Sequence, residues 1–321
     1  MRSVARLSAL IIGLALPLAD VSAETYPSRP ITVFSPLGPG APQDIIIRAM
    51  ADLMAKDLGQ PVVVDNKPGA ALTLGPATMA AKAKADGYTL SAVVSTLVLV
   101  PQMQKVSFDP MKDFTYIIQV AGFPLGVTIK ADAPHKSWAD LIAYAKANPS
   151  KLTYGSPGAG TNAHLGMELI MKHAGAKMTH IPHQGPMPII PAVLGGHVQL
   201  QVSGMEWKPH VEQGGMRLLA MLTANRHPAF PDVPSITELG YPFDIEVPMG
   251  FAGPKGMDGA IVKRLHDAFK KASDDPTVKA LYQKFDIDHR YAAGDDFQKN
   301  LDAIAQRMRP VIEELGLLVR K

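Results

Sequence analysis

The stretch ITVFSPLGPGAPQD, residues 31–44, decides the fold of this chain. It joins an apolar run, Ile31 to Phe34, to an amphipathic run, Ile45 to Leu58, through a turn rich in glycine and proline. This order predicts a strand, a turn and a helix, with Asp44 as the expected helix cap. N–H groups at a helix start lack intrahelical partners, and the helix dipole favours negative charge there. The turn is therefore predicted to bind an anion.

A second turn of the same kind, YGSPGAGT at residues 154–161, precedes a predicted helix from Asn162 to Ala174. A third candidate contact is Ser95-Thr96, directly after the predicted strand Tyr88 to Val94. Ligands of open α/β sheets bind at the carboxyl ends of the strands. We therefore expect the two glycine turns to face one anionic ligand from opposite sides.

Short apolar runs alternate with helical patterns, which predicts an α/β fold. The chain is expected to cross to a second lobe between the strands Phe114–Val120 and Leu125–Ile129, and to return before the strand Val247–Ala252. Two crossings imply a cleft and a hinge. The predicted domain bounds are 24–122 with 247–321 for lobe 1 and 123–246 for lobe 2. The tail is predicted to be helical over Gly259–Ser273, Asp275–Lys284 and Asp295–Leu317.

The N-terminus has the pattern of a secretory signal peptide, residues 1–23. Arg2 and Arg6 precede the apolar run Leu7 to Leu18, and small residues lead to an expected cleavage site near Ala23. The chain has no cysteine, which excludes disulfides, thiolate metal sites and a lipidated cysteine. A net charge of +3 is too small to indicate nucleic-acid binding. We expect a periplasmic monomer without cofactors.

Two cofactor hypotheses are weak. Residues 158–163, GAGTNA, match a dinucleotide fingerprint, but His180 and Pro182 occupy the region where that motif needs an acid. His180 and His183 have an H-x-x-H spacing, but residues three apart in a strand point to opposite faces. We therefore predict neither a nicotinamide site nor a metal site.

Two functional alternatives remain open. The first is a periplasmic hydrolase that uses Ser156 with His164 or His183, although the sequence around Ser156 lacks the glycine of a nucleophile elbow. The second is a sensory module that presents a bound acid to a membrane kinase. Trp207 either stacks on a flat ligand in the cleft or packs inside a lobe, and its neighbour Glu206 is expected to be solvated.

The chain resembles the solute-binding proteins of tripartite tricarboxylate transporters, the TctC-like or Bordetella uptake gene family. The resemblance covers essentially the whole chain after the signal peptide. The motifs that carry it are YPSRPI (26–31), PLGPG (36–40) with Asp44, LGQPVVV (58–64), NKPGA (66–70), DGYTL (86–90), DPMKDF (109–114), LGG (194–196) and PDVP (231–234).

The resemblance implies a type II periplasmic-binding-protein fold with mixed sheets in two lobes. It also implies a small organic acid as ligand, a mono- or dicarboxylate, and membrane transporter subunits as partners. The acid is expected to be bound by backbone N–H groups, hydroxyls and water. The implied contacts are Leu37, Gly38, Gly40, Ala41 and Asp44 in the first loop, Ser95 and Thr96 after the third strand, and Ser156, Gly160, Thr161, His164, His183 and Ser203 in the other lobe.

The chain departs from the family pattern at several of these positions. Ala41 replaces a glycine, and Pro42 removes a backbone donor. His183 stands where the family commonly has tyrosine. Ser203 replaces an aspartate that would pair with a ligand amine, which weakens the case for an amino-acid ligand. Trp207 raises the hypothesis of an aromatic carboxylate.

Overall fold

The structure is a computed structural model that describes residues 26–245 and 247–319. The predicted signal peptide, residues 1–23, lies outside the described residues. Within these two ranges, no helix is both long and apolar enough to cross a membrane.

The described residues form eleven strands and ten α-helices. The strands are β1 (Ile31–Ser35), β2 (Val62–Asn66), β3 (Thr89–Val94), β4 (Phe114–Phe123), β5 (Gly126–Lys130), β6 (Thr153–Ser156), β7 (Thr179–Pro182), β8 (Leu200–Ser203), β9 (Met216–Met221), β10 (Val247–Pro254) and β11 (Asp288–Ala293). The helices are α1 (Pro42–Leu58), α2 (Leu74–Lys82), α3 (Thr96–Met103), α4 (Trp138–Ala147), α5 (Asn162–Ala174), α6 (Ile189–Leu194), α7 (Lys208–Glu212), α8 (Gly259–Asp274), α9 (Pro276–Lys284) and α10 (Gly294–Glu314).

The first lobe is built on a six-stranded mixed sheet with the order β11-β4-β10-β3-β1-β2. β1 lies between β2 and β3 and is parallel to both. β10, which returns from the second lobe, pairs antiparallel with β3 and β4. The carboxyl ends of β1 and β3 therefore lie at the same edge of the sheet, and α1 and α3 begin there.

The second lobe is built on a five-stranded mixed sheet with the order β7-β6-β8-β5-β9. β6 is parallel to β7 and β8, and β5 is antiparallel to β8 and β9. The second glycine turn leaves the carboxyl end of β6 and leads into α5. The two mixed sheets confirm the predicted α/β fold with two lobes, whereas the exact domain bounds stay a prediction.

The differences from the sequence-based expectations include two elements of the first lobe. Helix α3 begins at Thr96, where only a loop contact was expected, and Pro101 lies inside it. Strand β11 interrupts the helical tail and pairs antiparallel with β4 at the edge of the first sheet. The first difference affects the cleft, because α3 supplies a helix start at the carboxyl end of β3.

Glycine at position 250 allows α10 to pack closely against the centre of the first sheet. Gly250 lies on β10, and a Cβ atom there would be 2.2 Å from the carbonyl oxygen of Ile118 and 2.4 Å from Cε1 of Phe297. Phe297 is fully buried. The neighbouring Met249 lines the cleft, so this close packing also fixes the floor of the site.

We predict that Gly250→Ala lowers the free energy of unfolding by about 2–3 kcal/mol, because a backbone carbonyl cannot move aside as a side chain can. Denaturant unfolding would measure the loss. Gly259→Ala is the matched control, since a Cβ at Gly259 meets nothing within 4 Å. Similar losses for the two variants would contradict this account of the packing.

Candidate functional site

A cavity of about 80 Å³ lies between the two lobes at the carboxyl ends of their strands. Its lining is mostly apolar. Glu206 is the only ionisable side chain among the described residues that line it, and none of these is a lysine or arginine. The lining residues are Pro36, Leu37, Gln43, Ile47, Leu72, Val94, Thr96, Phe123, Leu125, Pro157, Thr161, Asn162, Ala163, Pro186, Gly204, Glu206, Val247 and Met249.

In the first loop, Asp44 organises the backbone around the start of α1. Its carboxylate accepts hydrogen bonds from the Gly40 N–H at 3.1 Å, from Arg48 at 2.9 Å and from Asn66 at 2.6 Å. Burial raises the pKa of Asp44, but these three hydrogen bonds outweigh it and the net direction is down. The expected capping role is wrong, because Ala41 is the N-cap and the N-cap makes no side-chain hydrogen bond. Asp44 instead holds the loop in shape.

After β3, Ser95 and Thr96 begin α3 at the cavity. The Ser95 hydroxyl donates to Oδ1 of Asn162 at 2.7 Å, and this buried hydrogen bond joins the two lobes. The Thr96 side chain lines the cavity, and its buried Oγ1 has no hydrogen-bond partner among the described residues. This hydroxyl is therefore a donor that the described part of the protein leaves unused beside the cavity.

The second glycine turn is closed by its own side chains. The Ser156 hydroxyl accepts from the Gly158 N–H at 3.3 Å, and Nδ1 of His164 accepts from the Gly160 N–H at 3.1 Å. Thr161 is the N-cap of α5, and its Oγ1 accepts from the His164 N–H at 3.3 Å. The turn is therefore rigid before any ligand binds.

Behind this turn lies a buried polar cluster. The rings of His164 and His180 stack at 3.9 Å, and Nε2 of His180 is 2.7 Å from Oγ of Ser156. Tyr154 donates to Glu168 at 2.6 Å on the other side of the cluster. Ser156 is fully buried, so its hydroxyl supports the turn and is not accessible as a nucleophile.

Glu206 lies at the boundary between the cavity and an outer, more open cavity of about 410 Å³. Gln43 and Phe123 also line both spaces. Burial raises the pKa of Glu206, opposed by hydrogen bonds from its own backbone, Ser203 and Gln43. The expectation that Glu206 is solvated is wrong: Oε2 is buried and has no hydrogen-bond partner in the described part of the chain.

The predicted contacts separate into two groups. Leu37, Thr96 and Thr161 line the inner cavity, and Gly40 lines the outer one. The others lie behind these surfaces or beside them. Those residues are Gly38, Ala41, Asp44, Ser95, Ser156, Gly160, His164, His183, Ser203 and Trp207.

Three of the predicted contacts that do not line a cavity make defined contacts elsewhere in the second lobe. Trp207 is fully buried in the second lobe and packs on Phe230 with 5.5 Å between ring centroids, so it does not support an aromatic ligand. His183 is half-buried, and its Nδ1 lies 3.0 Å from the carbonyl oxygen of Ile181. Ser203 is buried at the end of β8 and accepts from Gln201 at 3.3 Å.

The structure changes the expected source of anion-binding donors. The N–H groups of Gly40, Gly158 and Gly160 already donate within their own loops. The first turns of α1, α3 and α5 contain further N–H groups without an intrahelical partner, those of Gln43, Thr96 and Ala163 among them. Gln43 and Ala163, which line the cavity in two of these turns, were missed by the sequence analysis. The signal for both was their position where a predicted turn leads into a predicted helix.

A family model described as "Tripartite tricarboxylate transporter family receptor" matches residues 46–317. The chain belongs to this receptor family. A protein from the gbd 5' region of Cupriavidus necator is 42% identical over 306 residues, which are 95% of this chain and 93% of that protein.

Solved structures also resemble this tripartite tricarboxylate transporter family receptor. An R. palustris protein solved with adipate has a TM-score of 0.83 and 27% identity, over 91% of this chain and 98% of its own. MatC from Rhodopseudomonas palustris, solved with malate, has a TM-score of 0.80 and 25% identity, over 89% and 100%. Members of the family are solute-binding receptors and not enzymes, so the hydrolase alternative is not supported. Family membership implies a periplasmic location.

We predict that acid destabilises this receptor through its stacked histidines. Burial lowers the pKa of His164 to about 4, and burial together with the neighbouring His164 and His183 lowers that of His180 to about 3. Unfolded histidine titrates near 6.5. Between about pH 6.5 and 4 the unfolded chain therefore binds more protons, and stability falls as the pH falls.

The variant His164→Asn isolates this effect, because asparagine can still accept from Gly160 but does not titrate. Wild type should lose about 2–3 kcal/mol more than the variant between pH 7 and pH 4.5. Denaturant unfolding at each pH would measure the difference. Parallel curves for the two proteins would contradict the buried neutral state of His164.

Proposed function

We propose that this receptor binds a small organic carboxylate between its two lobes and delivers it to a membrane transporter of the tripartite type. The observation that carries the proposal is the convergence of three helix starts, those of α1, α3 and α5, on one apolar cavity with no cation among its described lining residues. Backbone amides and hydroxyls are then the groups available to neutralise a carboxylate. The solved relatives that hold adipate and malate support the same ligand class.

Hydrogen bonds from these amides and hydroxyls are strong enough to account for micromolar binding of a carboxylate. A hydrogen bond to a charged group contributes about 1.5–3 kcal/mol net, and micromolar affinity corresponds to about 8 kcal/mol. Three or four such bonds, with burial of the ligand's apolar part, reach that value. The apolar lining strengthens each bond because water no longer competes for the donors.

Closure of the lobes accompanies capture in this proposal. Contacts that connect the lobes beside the cavity include the Ser95 to Asn162 hydrogen bond, the Gln43 to Glu206 hydrogen bond and the ion pair between Lys208 and Asp286. A ligand enclosed in about 80 Å³ must enter while these contacts are open. The closed form is then the signal that a transporter recognises.

Delivery to a transporter can be tested in cells. A strain without this receptor should lose high-affinity uptake of the captured acid, and the gene on a plasmid should restore it. Unchanged uptake in the deletion strain would separate capture from transport and contradict the delivery step.

Capture itself can be tested with Thr96→Val. A panel of mono- and dicarboxylates should raise the melting temperature of wild type, because a ligand that binds only the folded state stabilises it. Thr96→Val should bind the tightest-binding acid at least tenfold more weakly than wild type, since it removes a hydroxyl from the cavity wall. The free variant should be as stable as wild type, because the deleted hydroxyl has no partner.

The matched control is Thr128→Val. Thr128 on β5 also has a buried hydroxyl without a partner among the described residues, but it does not line the cavity. The Thr128→Val variant should bind the acid with the affinity of wild type. Equal affinity of the Thr96 variant and wild type, or no thermal shift with any acid, would contradict the proposed site.

A further inference from the structure

Glu206 is held in place by the core of the second lobe. It lies in the short 3-10 turn Met205–Trp207 after β8, and the buried Trp207 ring anchors that turn. The carboxyl group folds back over Gly204: both of its oxygens would be 3.0 Å from a Cβ atom at that position. The carboxyl group of Glu206 is therefore packed against its own turn at the wall of the cavity.

Two oxygen atoms at this wall are buried and lack hydrogen-bond partners among the described residues. They are Oε2 of Glu206 and Oε1 of Gln43. Both are acceptors, and buried acceptors are normally satisfied. Both residues line the inner and the outer cavity. A ligand that moves from the outer cavity into the inner one therefore passes beside them.

The charge at this wall discriminates between ligands. Burial favours the neutral form of Glu206, so its ionised form needs a hydrogen-bond donor or a cation beside it. A second carboxylate would instead repel that ionised form, and the repulsion is stronger in this apolar space than in water. The nearby cations Lys208 and Lys284 line only the outer cavity, and Lys208 is paired with Asp286. A hydrogen-bond donor on the ligand would satisfy the free acceptors instead of repelling them.

We propose that Glu206 accepts a hydrogen bond from the ligand, so that the captured acid is a monocarboxylate with a hydroxyl, amide or ammonium group at its other end. This inference rests on the proposed function, in which the carboxylate end of the ligand is bound at the starts of α3 and α5. It adds a residue that selects among carboxylates.

The test compares acids that differ only in their end group. The probes are butanoate, 4-hydroxybutanoate, 4-aminobutanoate and succinate, with the same four end groups on a six-carbon chain. Calorimetry on wild type should give at least tenfold tighter binding for the hydroxy or amino acid than for the dicarboxylate of the same length. Glu206→Gln should reduce this ratio at least tenfold, because the amide removes the charge and can donate to a second carboxylate.

Two further variants complete the experiment. Glu313→Gln removes the same charge at an exposed position on α10 and should leave all affinities unchanged. Gly204→Ala keeps Glu206 but displaces its carboxyl group, and should reduce the ratio as Glu206→Gln does. It provides an independent readout if the glutamine variant folds poorly.

The outcomes separate this inference from the function on which it rests. Two results would overturn the role of Glu206 while leaving carboxylate capture intact. In the first, wild type binds the dicarboxylate more tightly than the hydroxy or amino acid. In the second, both cavity variants leave the ratio of these affinities unchanged. If none of the acids binds wild type, capture itself fails, and the inference fails with it.

Discussion

The proposed binding site depends on one constraint: an anion in a cavity whose described lining offers no cation must be stabilised by backbone and hydroxyl donors. First-turn N–H groups can serve because the helix itself leaves them without partners. This explains why α1, α3 and α5 all begin at the cleft, two from one lobe and one from the other. The parallel strands that precede these helices end at the same edge of each sheet, so the topology brings the donors together. Asp44 and His164 then use the remaining loop amides to fix the turns, which leaves the helix starts facing the cavity.

Most of the fold was predictable from sequence because its elements carry strong local signals. Apolar runs such as Ile31 to Phe34 and the glycine turns between elements fix the order of strands and helices. Helix α3 was missed because Pro101 and the β-branched residues around it do not favour a helix, and tertiary packing overrides that preference. Strand β11 was missed because Asp288–Ala293 is polar and largely exposed. It is a strand because it pairs with β4, which lies more than 160 residues earlier in the chain.

The candidate site was predicted less completely, for a physical reason. Residue types at a turn show where donors are available, but not which of them the loop uses internally. The Gly160 N–H is bonded to His164, which lies four residues later in the sequence. Glu206 was expected to be solvated because glutamate side chains are mostly exposed, yet the fold of its turn places this residue at the cavity. The tripartite tricarboxylate transporter family pattern identifies the fold and the general position of the site, whereas these individual roles depend on three-dimensional packing.

The most direct test of this account is a crystal structure of the receptor with the tightest-binding acid from the matched series. We expect the ligand carboxylate to lie within hydrogen-bond distance of the first-turn N–H groups of α3 and α5 and of the Thr96 hydroxyl, with both lobes in contact with the ligand. A carboxylate bound by Lys208 or Lys284 in the outer cavity, or by one lobe alone, would contradict it.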